Sequence, residues 1–211
     1  NENRIINFVA RVLGQLTPEE YQASLEALVQ LPASYDRGTM GSITVGKVAW
    51  DGSYFTYASP ALFIHEIQTA YGRGTIEPTT QAQIAYAQDE NYTSWGLSDC
   101  FDTGTGSYLQ QGAPPVAMPG SPETRPGLVT PHASALALMT SFSGQALSNL
   151  QNLSTTFPAV YDANYGFRDC VMAKSGDPAF GQVSERFSAL AQEWLFLSIA
   201  NDQTGFIWKY F

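Results

Sequence analysis

The sequence predicts an all-α fold of helix pairs, joined by alternately short and long connections, with the long loops gathered at one end. Three observations carry that prediction. Apolar residues recur at helical spacing in seven segments. Prolines, glycines and capping residues punctuate those segments where helices start and stop. The connections alternate between a few residues and several tens, and loops that long in a compact domain usually carry function. Helix pairs of this kind stack into α-toroids or solenoids, whose equivalent loops build a common mouth.

The first helix covers 3–14, where Ile5, Ile6, Phe8, Val9, Val12 and Leu13 share a face and Gly14 ends the pattern. Thr17-Pro18-Glu19-Glu20 is a capping box with proline at the first helical position. It opens a second helix to about Leu31, where Pro32 follows. Residues 32–59 read as a long loop rich in Gly, Ser, Thr and aromatics. Within it, Ile43-Thr44-Val45 and Lys47-Val48-Ala49 are expected to form a small β-hairpin around Gly46. Pro60 opens a third helix ending near Gly72, and Pro78 a fourth that runs through Ile84 and Ala85. A proline-rich loop spans 91–130. The fifth helix covers Ala133–Met139, and the sixth begins near Gly144 and carries Ala146, Leu147, Leu150 and Leu153. After a third long loop at 158–181, the last helix covers Val183–Ala200.

Composition bounds what such a chain can do. Of 211 residues, 44% are hydrophobic, enough to bury a core and to exclude disorder as the main state. The length fits one domain or a piece of a larger one. With a net charge of −9 and a pI near 4.5, the chain lacks the clustered cations that nucleic acid demands. No apolar run approaches the ~18 residues of a membrane span. Low charge with many aromatic and uncharged polar residues fits a protein that works outside the cell, extracellular or periplasmic, on neutral polar ligands. The chain opens at Asn1 without a signal peptide and already in helical pattern, so it is expected to be a processed or excised piece. Cys100 and Cys170 form either one disulfide of an exported protein or two separate buried thiols. Asn91-Tyr92-Thr93 and Asn152-Leu153-Ser154 are N-glycosylation sequons if the source is eukaryotic and secretory.

The candidate chemistry sits in the loops. Trp95-Gly96-Leu97-Ser98-Asp99-Cys100 and Tyr165-Gly166-Phe167-Arg168-Asp169-Cys170 share the pattern aromatic-Gly-apolar-x-Asp-Cys, seventy residues apart. Equivalent loops facing one end would bring Asp99 and Asp169 together. Two carboxylates in different environments divide acid and base roles in glycoside hydrolysis. An Asp after a helix also serves as a cap or turn former, and the residues alone leave both roles open. Trp50-Asp51-Gly52-Ser53-Tyr54-Phe55-Thr56-Tyr57 lies in the first long loop. Sugars bind by stacking on aromatic rings and by hydrogen bonds to polar side chains. Trp50, Trp95, Tyr108 and Tyr165 are candidate platforms, although aromatic loop residues also plug the top of a core. Neither His65 nor His132 has a partner at ligand spacing, so no protein-built metal site is expected. No Gly-x-Ser-x-Gly and no phosphate-cradling glycine motif occurs, so neither a hydrolase triad nor a nucleotide cofactor is expected.

Several segments, in order, resemble the glucoamylase-like domain family, which occurs in cyclic β-glucan synthases and in relatives of bacterial β-1,2-glucanases. Asn1-Glu2-Asn3-Arg4 through Phe8 to Gly14 resembles the family's helix before the substrate loop. Trp50 to Tyr57, followed by Ser59-Pro60-Ala61-Leu62-Phe63, is similar to its Trp-x-Gly-Ser/Thr-Met-Phe-Glu-Tyr-Leu-Met-Pro-x-Leu signature. Gln83-Ile84-Ala85-Tyr86 resembles its Gln-Ile-x-Tyr helix, and Trp95-Gly96-Leu97-Ser98-Asp99 its Trp-Gly-Ile-Ser-Glu motif. Tyr108 with Gly112-Ala113-Pro114, the run Thr130 to Leu138, Asn149-Leu150, Tyr165 to Asp169 and Ala200-Asn201 continue the series.

The resemblance implies an (α/α)₆ toroid, twelve helices in six pairs around a pocket that holds a glycan. It covers the second half of that ring. The chain at 1–211 is therefore expected to be about half a toroid, completed by an upstream segment or a neighbouring chain. The implied activity is that of a glycoside hydrolase or transglycosylase, with Asp99 and Asp169 as catalytic candidates. Trp50, Asp51, Tyr54, Trp95, Tyr108, His132, Tyr165 and Arg168 are the implied substrate contacts. Two departures weigh against catalysis. Thr56 stands where the family has Glu, and Asp99 is one methylene shorter than the family's Glu. Losing or shortening a carboxylate removes or misplaces a proton carrier. The rival expectation is a non-catalytic glycan-binding or structural subunit.

Overall fold

A computed structural model of the chain describes residues 3–27, 31–121 and 125–210. Asn1-Glu2 and the expected last turn of the second helix lie outside the described residues. Among the described residues the chain forms seven α-helices, with short 3₁₀ turns and four two-stranded sheets. The strands go beyond the single hairpin that the sequence predicts.

Helices α1 (Asn3–Val12) and α2 (Pro18–Glu26) form where expected. Thr17 Oγ1 accepts from Glu20 N at 3.1 Å, and Glu20 Oε2 accepts from Thr17 N at 2.8 Å, which closes the predicted capping box. Helix α1 is anchored by Arg4, whose guanidinium is fully buried. It donates to Glu66 at 2.8 Å, to the Tyr57 carbonyl at 2.7 Å and to the Tyr71 hydroxyl at 2.9 Å. Those extra bonds offset the desolvation that a buried ion pair otherwise incurs.

The hairpin is shifted upstream of its expected place. Strand β1 (Ala33–Asp36) pairs antiparallel with β2 (Ser42–Val45), with Ala33 opposite Val45 and Tyr35 opposite Ile43. Ile43 and Val45 are buried on the same face, as the two-residue period of a strand requires, while Lys47-Val48-Ala49 forms no strand. The turn is made by Gly38 and Gly41, both at positive φ, and Gly46 instead bonds the Gly74 carbonyl.

The third helix is also corrected. Helix α3 (Tyr54–Ala58) forms upstream, inside the segment read as a loop, and where the third helix is expected Pro60 belongs to a 3₁₀ turn at Ser59–Leu62. No continuous helix reaches Gly72. A π turn at Gly72–Ile76 runs directly into α4 (Glu77–Asp89). Gly72 is needed for a backbone crossing: a Cβ there would lie 2.3 Å from the Glu66 carbonyl oxygen.

Helix α5 (Pro131–Leu136) is buried along its whole length and packs against α3, α6 (Ser143–Thr156) and α7 (Ala189–Thr204). Helix α7 starts six residues later than expected, at the Ser188 cap, and ends at Gly205 in the left-handed region. The chain before it, at Val183, forms a bridge to Val171 instead. Three two-residue ladders pin the long loops. Strand β3 (Cys100–Phe101) pairs with β4 (Tyr108–Leu109), β5 (Leu128–Val129) with β8 (Val171–Met172), and β6 (Tyr161–Asp162) with β7 (Gly166–Phe167). The main core gathers Tyr54, Leu62, Ile76, Leu97, Leu136 and Leu153. Apolar side chains stay exposed on α1 (Ile6, Val9, Val12) and on α7 (Leu190, Phe196, Ile199).

Candidate functional site

The site is built where the loop before α3 meets the loop after α4. Gln83, fully buried on α4, joins them. Its Oε1 accepts from Leu97 N at 2.7 Å, and its Nε2 donates to the carbonyls of Leu97 at 3.0 Å and Gly52 at 3.2 Å. Ser53 Oγ shares a hydrogen bond with Ser98 Oγ at 2.9 Å and accepts from Asp99 N at 3.1 Å. The 111–113 segment closes over both. A Cβ on Gly112 would lie 2.0 Å from the Gly52 carbonyl carbon, so only glycine permits that approach.

This frame holds Asp99 by both carboxylate oxygens. Oδ1 accepts from Gln111 N at 2.9 Å and Oδ2 accepts from the Tyr108 hydroxyl at 3.0 Å. Asp99 is 7% exposed, and burial pushes its carboxyl up to about 6, with the Asp51 charge acting in the same direction against the Gln111 N–H. Asp51 orders its own loop by accepting from Ser53 N at 2.9 Å. Asp169 lies deeper, at 2% exposure. Its Oδ2 accepts from Phe101 N at 2.6 Å, and burial pushes its carboxyl up to about 6 as well. The Phe101 ring meets Tyr108 edge to face, with centroids 5.4 Å apart. The charges of Asp99, Asp169 and Asp51, together with burial as the largest cause, all raise the Tyr108 phenol. Tyr108 thus holds Asp99 directly and meets Asp169 through Phe101, whose backbone N–H binds the second carboxylate.

A groove of about 540 Å³ opens beside this cluster, lined by Trp50, Asp51, Tyr108, Leu109 and Gln110. Trp50 is 64% exposed and Tyr108 55%, so each offers a ring face to a ligand. The structure therefore brings together Trp50, Asp51, Tyr108 and Asp99, with Asp169 behind them.

Other expected contacts lie elsewhere. Tyr54 is wholly enclosed in the core, its hydroxyl bonded to Thr80 Oγ1 at 2.6 Å, and it presents no face to a ligand. His132 is buried on α5 with its ring 5.2 Å from that of Trp194, and burial holds its imidazole down at about 3, in the neutral form. Trp95 lines a separate groove between α4 and α6 with Asn149 and Asn152. Its backbone is held there by Asn149, which accepts from Trp95 N at 3.2 Å and donates to its carbonyl at 2.8 Å. Tyr165 and Arg168 sit beside Phe187, with the Arg168 guanidinium 4.6 Å over that ring. Sequence reasoning missed Gln111 and the positioning role of Ser53. No sequence signal marks Gln111, whose contribution is a backbone N–H and an amide. Among the described residues, no group of three or more His, Cys, Asp or Glu could hold a metal ion. No helix among them is long and apolar enough to cross a membrane.

The profile of a family described as "Putative glucoamylase" matches residues 2–211. The chain belongs to this glucoamylase-like family. No curated protein matches it significantly. Among solved structures, it is similar to the endo-β-1,2-glucanase of Talaromyces funiculosus in complex with β-1,2-glucan. There the TM-score is 0.71 at 16% identity, over 95% of this chain and 40% of that one. It is also similar to the endo-β-1,2-glucanase of Chitinophaga pinensis, with TM-score 0.62 at 15% identity over 92% of this chain and 46% of that one. A protein of Bacteroides caccae described as a "putative glucoamylase" gives TM-score 0.67 at 16% identity, over 92% and 46%. The glucoamylase-like chain spans less than half the length of each of these structures. At such identities the likeness is one of fold.

Proposed function

We propose that this glucoamylase-like chain carries the acid side of a glycoside hydrolase or transglycosylase acting on an extracellular glucan, with a β-1,2-linked chain as the first substrate to test. The observation that carries the reading is Asp99, buried between the Gln111 N–H and the hydroxyl of Tyr108, the residue that lines the groove beside Trp50. A carboxyl titrating near pH 6 is half-protonated where a glycosidase acid must deliver its proton to the departing glycosidic oxygen. Trp50 and Tyr108 would stack the sugar rings. Asp169 is too enclosed for a general base and acts as a positioning residue: it fixes Phe101, which abuts Tyr108. In this reading the catalytic partner of Asp99 comes from the rest of an (α/α)₆ toroid, supplied by an upstream segment or a neighbouring chain. The exposed apolar faces of α1 and α7 support that expectation, since each would be covered at a ring junction.

The second reading is a glycan-binding subunit without catalysis. Thr56, where the resemblance implies Glu, favours it. Incubation of the chain, alone and with its completing half, with a panel of β-glucans separates the two. Release of new reducing ends by the wild type, lost in Asp99→Asn, supports the enzyme. Binding of glucan without product release by the wild type overturns it.

A further inference from the structure

The echoed motifs end in Cys100 and Cys170, and neither sulfur has a role in the proposed chemistry. The two segments run side by side. Phe101 N donates to Asp169 Oδ2 at 2.6 Å, and Cys170 Sγ donates to the Phe101 carbonyl at 3.1 Å. The structure holds both as free thiols, fully buried in one small cluster with Leu128 and Met172. Two thiols seventy residues apart, brought together at the feet of two carboxylate-bearing loops, make a cross-linking site.

We propose that Cys100 and Cys170 are joined by a disulfide that staples the Asp99 loop to the Asp169 loop. The co-reactant is an external disulfide, carried by a dithiol oxidoreductase or by oxidised glutathione. One cysteine thiolate attacks it, forming a mixed disulfide and releasing one external thiolate. The second cysteine thiolate then attacks the protein sulfur of that mixed disulfide, and the second external thiolate leaves. Two protein thiols are oxidised, one external disulfide is reduced to two thiols, and the two protons pass to the released thiolates. In the folded chain both sulfurs are closed off from solvent, and the neighbouring Cys170 thiol, with burial second, raises the Cys100 thiol well above its ordinary range. The exchange therefore happens during folding, before the loops close. Gln111, whose Nε2 lies 3.3 Å from Cys100 Sγ and whose backbone N–H binds Asp99, links the staple to the proton carrier.

The test is a thiol count. The chain is secreted from a eukaryotic host, unfolded in guanidinium without reductant, blocked with N-ethylmaleimide and digested for mass spectrometry. The expected result is no label on either cysteine and a linked peptide pair containing both. Label on either cysteine overturns the proposal. As a second measurement, the same chain made in a reducing cytosol is refolded in a glutathione redox buffer. Closing a loop of this length should raise the thermal midpoint by about 5–15 °C over the reduced protein. The Cys100→Ala/Cys170→Ala double variant should melt at the same temperature in reducing and oxidising buffer. A wild type whose midpoint also ignores the buffer overturns the proposal.

Discussion

The loops ending in Asp99 and Asp169 share a sequence pattern and a backbone, yet they occupy different environments. Gly96 and Gly166 both adopt positive φ, 113° and 81°, so the motif sets the same turn twice. The aromatic that opens each motif goes opposite ways: Trp95 is 8% exposed and packed toward α6, while Tyr165 is 68% exposed beside Phe187. The carboxylates diverge too. Asp99 meets a side-chain hydroxyl that borders a groove, whereas Asp169, among the described residues, meets a backbone N–H in the interior. A local motif thus fixes a turn, and its tertiary neighbours decide whether the acid beside it can meet a substrate.

The sharpest way to break this comparison is to remove each carboxylate in turn. Asp99→Asn should lower glucan cleavage by about 10²–10⁴-fold, the worth of a positioned proton donor. Asp169→Asn should cost only about 10-fold, through looser placement of Phe101 and Tyr108. Equal losses in initial-rate assays would erase the distinction. The next effect is on stability. Gln83→Ala strips partners from Leu97 N and two buried carbonyls, and should destabilise the chain by about 2–4 kcal/mol in urea titrations. A loss below 1 kcal/mol would mean that the clamp is not what joins the two loops.

Titration gives a third handle. Asp99 and Asp169 both titrate higher in the folded chain, at about 6, than the 3.8 of a free Asp. Their contribution to stability is therefore fully present below about pH 4 and is lost as pH rises through about 6. Urea midpoints of the Asp99→Asn/Asp169→Asn variant should accordingly fall less between pH 4 and pH 7 than those of the wild type. An unchanged slope would show that neither carboxyl is shifted. The smallest effect separates the two exposed aromatics. Trp50→Ala should weaken glucan binding by about 10-fold with little change in melting, because its ring is largely in solvent beside the groove. Tyr165→Ala, away from that groove, should leave affinity unchanged when read by calorimetry.

Much of the architecture was legible because it rests on local chemistry. The Thr17 capping box and the buried period of Ile43 and Val45 each depend on residues within a few positions. The misplacements arose where distant backbone intervened. The helix expected to reach Gly72 is broken because Gly72 crosses the Glu66–Ile67 backbone, and the hairpin moved because Gly46 is claimed by Gly74. The two-residue ladders carry no periodic signal at all. At the site, Asp99, Tyr108, Trp50 and Asp51 were legible as residue types in long loops. Gln111 was not, because its role lies in a backbone N–H and in an amide reaching Ser98, Cys100 and Leu128. Tyr54 and His132 read as ligand contacts from sequence, but burial within α3 and α5 encloses them.

The central claim is that Asp99, and not Asp169, faces the sugar. Carbon-13 carboxyl NMR titrations of the chain, with and without a β-1,2-linked glucose trisaccharide, test it directly. Two carboxyls should titrate near pH 6 in the free protein, with the Asp99 signal and its midpoint moving on ligand addition while Asp169 stays still. Movement of Asp169 alone, or of neither signal while the trisaccharide is bound, would contradict it.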